Sequence, residues 1–159
     1  MKIVIIGNSG SGKSTLAKFL QSQYDLSLLD LDILAWKASD PPQREELAIS
    51  MERIDSFTAG NKAWVIEGGY SDLIKPLLKN ATKVIFLNPG LNSCIENCKN
   101  RPFESHKYQS MEEQNSNLQM LLAWVQEYYK RDDSFSYHAH KILFDAFGGE
   151  KIEYRSNDR

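Results

Sequence analysis

The chain has 159 residues, a net charge of −2 and a pI near 5.9. That length predicts a single domain over residues 1–159 with a sizeable core, and the acidic balance excludes the basic excess of a nucleic-acid-binding domain. No apolar run approaches the roughly 18 residues of a membrane-crossing helix, so neither a nucleic acid nor a membrane is an expected partner.

In chain order, Ile3-Val4-Ile5-Ile6 reads as a buried parallel strand. It is too short for the apolar core of a secretory leader. The two cysteines, Cys94 and Cys98, lie four apart in a helical pattern and suit buried apolar positions better than a disulfide framework. A reducing, cytoplasmic location is therefore expected.

The strand runs into Gly7-Asn8-Ser9-Gly10-Ser11-Gly12-Lys13-Ser14-Thr15, which fits the phosphate-binding pattern G-x-x-x-x-G-K-[ST]. Leu16, Ala17 and Leu20 follow at helical spacing, which completes the strand–loop–helix context the pattern needs. The glycines let backbone N–H groups turn inward around an anion, and the following helix aims its positive end at the same point. On this reading the loop holds ATP, Lys13 bridges the β- and γ-phosphates, and the Ser14 hydroxyl reaches Mg²⁺.

A second strand over Leu26-Ser27-Leu28-Leu29 ends in Asp30-Leu31-Asp32. A helix with Leu47, Met51, Ile54 and Thr58 on one stripe closes at Gly60-Asn61. Ala63-Trp64-Val65-Ile66 forms a third strand running into Glu67-Gly68-Gly69-Tyr70, and a short helix starting near Asp72 tolerates Pro76. Lys83-Val84-Ile85-Phe86-Leu87 is a fourth strand, and Leu91, Cys94, Ile95 and Cys98 stripe the next helix. Residues 101–109 lack periodicity. The capping box Ser110-x-x-Glu113 then opens one long helix carrying Leu118, Leu121, Leu122, Val125 and Tyr129. Arg131-Asp132-Asp133-Ser134 interrupts it, a last helix follows with His138 on its surface and His140 towards the core, and Lys151-Ile152-Glu153-Tyr154 is a final strand.

Alternating strands and helices imply an α/β protein with a mostly parallel sheet covered on both faces, and ligands of such sheets sit at the carboxyl ends of the strands. Asp30 and Asp32, two apart in an extended segment, are expected to point the same way. Asp30 is a candidate for the Mg²⁺ water shell and Asp32 for positioning or deprotonating an acceptor, although either can instead cap the next turn. Glu67, at the tip of a buried strand, is a second candidate for orienting Mg²⁺ through water, and Gly68 and Gly69 would let a ligand approach the backbone closely. Arg101, His106 and Lys107 supply positive charge for a lid over the γ-phosphate, with Arg131 a further source. Trp64 and Trp124 are expected in the core, and Trp36, just after Asp32, in a substrate-pocket wall.

The loop, the Asp30-Leu31-Asp32 pair and the Glu67-Gly68-Gly69 turn together resemble the small P-loop kinases of the adenylate kinase and shikimate kinase group. Leu31 to Trp36, Trp64 to Tyr70 and Val84 to Leu87 look more like the adenylate-kinase-related proteins of the DNA topology modulation or FlaR type. The resemblance implies a P-loop three-layer α/β/α fold with a five-stranded parallel sheet in the order 2-3-1-4-5. It also implies ATP and Mg²⁺, and transfer of the γ-phosphoryl to a small acceptor such as a nucleotide or another hydroxylated metabolite. Residues 101–109 would be the lid, and Lys13, Asp32 and Arg101 the catalytic groups. The chain departs from adenylate kinases at Gly69-Tyr70-Ser71, where they carry an acceptor-gripping Arg, and it lacks their inserted lid. A plain P-loop NTPase or a nucleotide-sensing binding module is the alternative. The expected assembly is a monomer or homodimer.

Overall fold

The computed structural model describes residues 1–158. Five parallel strands form one sheet in the order β2-β3-β1-β4-β5: β1 Lys2–Gly7, β2 Ser27–Asp30, β3 Trp64–Gly68, β4 Lys83–Leu87 and β5 Glu150–Tyr154. The expected 2-3-1-4-5 sheet is therefore present. Seven α-helices connect and cover the strands: α1 Lys13–Tyr24, α2 Leu47–Gly60, α3 Ser71–Leu77, α4 Leu91–Lys99, α5 Met111–Ser116, α6 Leu118–Gln126 and α7 Tyr137–Ala146.

The central strand β1 is hydrogen-bonded to β3 and β4, with Ile5 opposite both Glu67 and Ile85. Its alternate residues feed two separate cores. Val4 and Ile6 join Trp64, Ile66, Phe86 and Phe144 on one face, under α2, α3 and α7. Ile3 and Ile5 join Val65, Ile85 and Ala17 on the other, under α1. A strand buried on both faces must be apolar throughout, which is why β1, β3 and β4 read as unbroken hydrophobic runs. Each fully buried side chain of this size adds about 1.5–3 kcal/mol of burial, and Trp64, Phe86, Ile5 and Ile66 are almost completely enclosed.

Four details differ from the sequence reading. The long helix from Ser110 is broken at Asn117, and α6 ends at Gln126, so Tyr128 rather than Tyr129 turns inward. The inward face of α2 carries Ser50 and Ile54 while Leu47 lies exposed; the Ser50 hydroxyl donates to the Leu34 carbonyl at 2.9 Å, which is how a polar residue is accommodated there. Trp124 is not a core residue, because 39% of its surface is exposed. Helix α3 starts at Ser71, so Pro76 falls in its second turn, past the first-turn N–H groups that go unpaired anyway, and position 76 contributes no ladder hydrogen bond.

Ser110 does cap α5, accepting from the Glu113 N–H at 3.1 Å, while the Glu113 carboxylate accepts from the Gln109 N–H at 2.7 Å. His140 is buried and His138 exposed, and Cys94 and Cys98 are both buried free thiols, as their positions in the sequence suggest. No helix among the described residues is long and apolar enough to cross a membrane.

Candidate active site

The loop between β1 and α1 hangs from the carboxyl end of the central strand. Gly10 and Gly12 adopt positive φ of 77° and 93°, a backbone state that side chains strongly disfavour. At Gly10 a Cβ would also lie 2.3 Å from the Cys94 carbonyl oxygen and 2.6 Å from Cys98 Sγ, so α4 packs directly on the loop. Helix α1 opens on Gly12 with no side-chain cap and no acid in its first turn. Its positive end is a position where negative charge is stabilised. Lys13 arches back so that its ammonium donates to the Asn8 carbonyl at 2.9 Å. The Asn8 amide in turn donates to the Val125 carbonyl of α6 at 3.2 Å, and the Ser11 hydroxyl is buried without a hydrogen-bond partner. A lysine, a helix N-terminus without a side-chain cap and a buried hydroxyl on one loop form a donor set suited to a polyphosphate.

Strand order brings the acids to this loop. Asp30 and Glu67 are register partners at the ends of β2 and β3. Glu67 is 3% exposed, and its Oε1 accepts from the Ser14 hydroxyl at 2.6 Å. Burial pushes the Glu67 carboxyl above its ordinary range; Lys13 opposes that rise and Asp30 adds to it.

Asp30 and Asp32 meet by a route other than the expected extended geometry. Strand β2 stops at Asp30, and Leu31–Ile33 form a 3₁₀ turn that Asp30 caps, its Oδ1 accepting from the Asp32 N–H at 2.9 Å. The capping alternative therefore holds for Asp30, and yet both carboxylates still converge. Lys107 bridges them, 3.4 Å from Asp30 and 2.6 Å from Asp32. His106 lies 3.2 Å from Asp30. Burial raises the Asp32 carboxyl, but Lys107 and the hydrogen bond from the Tyr70 hydroxyl outweigh it and hold the group below the ordinary carboxylate value. Burial opposes protonation of Lys107, yet Asp32 and Asp30 raise it well above the usual lysine range. Asp32 nevertheless keeps 37% of its side-chain surface open to solvent.

No protein-family model and no curated protein matches the chain. Among solved structures, the chain is similar to a deoxyadenosine kinase from M.mycoides with bound dATP, at 13% identity and a TM-score of 0.49, covering 97% of this chain and 90% of that one. The fold stands on the strand order and loop described above.

The other expected residues divide into two groups. Tyr70 and Trp36 belong to the acid cluster: the Trp36 indole N–H donates to the Tyr70 hydroxyl at 2.8 Å, and that hydroxyl donates to Asp32. Arg101 is bound 3.5 Å from Glu104 and lies over the Cys98 thiol, alongside the loop. Arg131 is held elsewhere. It stacks 3.7 Å from the Trp124 ring centroid, donates to the Trp124 carbonyl at 2.6 Å and pairs with Asp133 at 3.2 Å. Gly68 makes room for the protein itself, since a Cβ there would lie 2.9 Å from Leu31 Cβ, whereas a Cβ on Gly69 would make only ordinary contact, 3.4 Å from the Gly7 carbonyl oxygen.

Two residues of the cluster escaped the sequence reading. Arg44 packs 4.9 Å from the Tyr70 ring centroid and 5.4 Å from Phe135 while pairing with Asp72 at 3.1 Å. It reaches the site because residues 35–45 fold back on themselves, Glu45 N–H donating to Ala35 O at 2.8 Å. His140 clamps the turn after β3. Its Nε2 lies 2.7 Å from the Gly69 carbonyl and its Nδ1 2.7 Å from the Tyr128 hydroxyl. Burial lowers its pKa to about 4, so the ring is neutral, donating to Gly69 and accepting from Tyr128.

Proposed function

We propose that this chain transfers the γ-phosphoryl group of ATP to a hydroxyl of a small acceptor molecule. The observation that carries the reading is a division of labour between two strand ends. Lys13 and the Ser14–Glu67 pair stand on the donor side, and an ionised, partly open Asp32 stands on the acceptor side.

The acceptor hydroxyl gives a hydrogen bond, and then its proton, to Asp32. Its oxygen bonds to the γ-phosphorus as the bond to the β-bridging oxygen breaks and ADP leaves. Lys13 offsets charge that spreads over the transferring group, and the loop amides with the α1 terminus hold the remaining phosphates. Ser14 would hold Mg²⁺ directly, with Glu67 and Asp30 acting through its waters, and the ion would neutralise phosphate charge. Such a site needs one side-chain ligand, the rest coming from phosphate oxygens and water. Segment 101–109 is the lid: Arg101 and Lys107 exclude water and add positive charge, and His106 supports them from Asp30. Trp36, Tyr70 and the Gly68-Gly69 turn form the acceptor wall.

The test is ADP release measured with and without candidate acceptors. Acceptor-dependent release that is lost in Lys13→Ala and Asp32→Asn supports the reading. Acceptor-independent phosphate release identifies an NTPase, and ATP binding with neither product identifies a sensing module.

A further inference from the structure

Resting on that phosphoryl-transfer reading, we infer that Tyr70 is a positioning residue: it fixes the Asp32 carboxylate through Oδ1, so that Oδ2 is the oxygen that meets the acceptor hydroxyl. The two oxygens of Asp32 have different partners. Oδ1 accepts from the Tyr70 hydroxyl, and Oδ2 lies 2.6 Å from the Lys107 ammonium. Trp36 sets the direction of the first bond. An indole N–H only donates, and this one donates to the Tyr70 oxygen at 2.8 Å. The hydroxyl proton of Tyr70 is therefore left for Asp32, and an ionised carboxylate can only accept it. Trp36, Tyr70 and Asp32 form a chain of hydrogen bonds that runs one way, and each bond polarises the next.

The two sides of the carboxylate also differ in support. Tyr70 is buried, its ring meets Phe135 edge-on at 5.2 Å, and the Arg44 guanidinium lies 4.9 Å from the ring centroid. The backbone is held on either side of it. The Gly69 carbonyl is 2.7 Å from His140 Nε2, and the Ser71 N–H and hydroxyl both donate to the Ser134 carbonyl, at 3.0 and 2.6 Å. Lys107 comes instead from segment 101–109, which contains neither helix nor strand. When that segment moves, Oδ2 loses its cation while Oδ1 keeps its donor. The terminal torsion of a free aspartate is broad, and the Tyr70 bond is what holds this one. Such a hold matters because a misplacement of about 1 Å at a reacting group costs about 10²-fold in rate.

Two measurements on the full chain test this. The first needs no ligand. Of the three tryptophan indole signals in a ¹H–¹⁵N spectrum, that of Trp36 is the one lost in Trp36→Phe. It is expected to move in Tyr70→Phe and also in Asp32→Asn, which is linked to it through the Tyr70 hydroxyl. A Trp36 signal that moves in neither, or only in Tyr70→Phe, overturns the inference. The second measurement is ADP release from ATP and Mg²⁺ with water alone and with glycerol, ribose, the common ribonucleosides and their 5′-monophosphates as hydroxyl probes. Tyr70→Phe keeps the ring and removes only the hydroxyl. Its kcat with the fastest probe is expected to fall about 10- to 100-fold, with the KM for ATP within about twofold of wild type. Combined with Asp32→Asn it should add no further loss. Trp36→Phe, in which Tyr70 and Asp32 both remain, should show a smaller loss of the same kind. A Tyr70→Phe rate equal to wild type, or a separate loss on top of Asp32→Asn, overturns the inference and leaves the transfer reading standing. Absence of ADP release by the wild type with every probe removes that reading and the role of Tyr70 in it, while the indole signals still report whether Tyr70 holds Asp32.

Discussion

The Ser14 hydroxyl of the phosphate loop donates to the Glu67 carboxylate of β3 at 2.6 Å, across 53 residues of sequence. This bond places an acid with no compensating cation in direct contact against the buried end of the sheet. Because burial raises the pKa of Glu67, the group adds stability at pH values below the ordinary glutamate range and that stability is lost as pH rises through the elevated folded value. Glu67→Gln keeps the acceptor for Ser14 and removes the buried charge. The variant is expected to melt higher than the wild type at neutral pH, by about 2–4 °C for each kcal/mol relieved at this chain length. The gain should vanish below pH 4, and Mg²⁺-dependent ATP affinity should fall. Melting curves across pH with a nucleotide titration check both halves, and a neutral-pH destabilisation would mean that the charge is well compensated.

Asp32 has the opposite sign. Its depressed pKa means that its ion pair with Lys107 stabilises the fold above the ordinary carboxylate range, and this contribution is lost as pH falls through the lowered value. Asp32→Asn is expected to reduce acceptor-stimulated ADP release by about 10²–10⁴-fold, the usual worth of a positioned base, while ATP affinity stays within about twofold, because the ATP-side groups Lys13 and Ser14 are untouched. Loss of ATP affinity in parallel would make Asp32 a metal or structural group.

Gly10→Ala tests the packing of α4 against the loop. The added methyl meets the Cys94 carbonyl at 2.3 Å and Cys98 Sγ at 2.6 Å, at a φ of 77°. Strain and overpacking together are expected to cost about 2–4 kcal/mol and to weaken ATP binding. Adding Cys98→Ala should recover only part of the loss, since the Cys94 carbonyl is backbone and remains. Full recovery in the double variant, measured by urea unfolding, would show that the thiol alone sets the limit.

The buried neutral His140 predicts an acid limb in the stability curve. With its folded pKa lowered to about 4, its contribution is fully present above the ordinary histidine value and drains away as pH falls from about 6.5 towards 4, by up to about 1.4 kcal/mol per pH unit. His140→Gln can still donate to Gly69 but does not titrate. It should lose that slope between pH 6.5 and 4, and equal slopes in the two proteins refute the assignment.

The loop half of the candidate site was legible because it is local. Gly7 to Thr15 carry the whole loop in one stretch, and the unbroken apolar runs at 3–6, 64–66 and 84–87 identify the buried strands that present it. The half around Asp30 and Asp32 is assembled from distant residues. Tyr70 reaches Asp32 across 38 positions, His106 reaches Asp30 across 76, and His140 reaches Gly69 across 71. Pairings of this kind leave no period or spacing in the chain. Arg44 carried no signal at all, because only the fold-back of residues 35–45 brings it over Tyr70. The expectation that Asp30 and Asp32 share a face came from strand periodicity. It failed in mechanism because a turn begins at Leu31, and the convergence came from Lys107 instead.

The Asn8–Val125 hydrogen bond bears on timing. It ties the β1–α1 loop to α6, while α4 is pressed against Gly10, so the span between these two helices, which holds segment 101–109 and α5, has both of its neighbouring helices anchored to that loop. On the phosphoryl-transfer reading, opening of segment 101–109 would then be a loop rearrangement, of the nanosecond-to-microsecond class, and not a domain closure, which takes microseconds to milliseconds. Rupture of the Lys107 contacts with Asp30 and Asp32 would set how often the site admits a molecule.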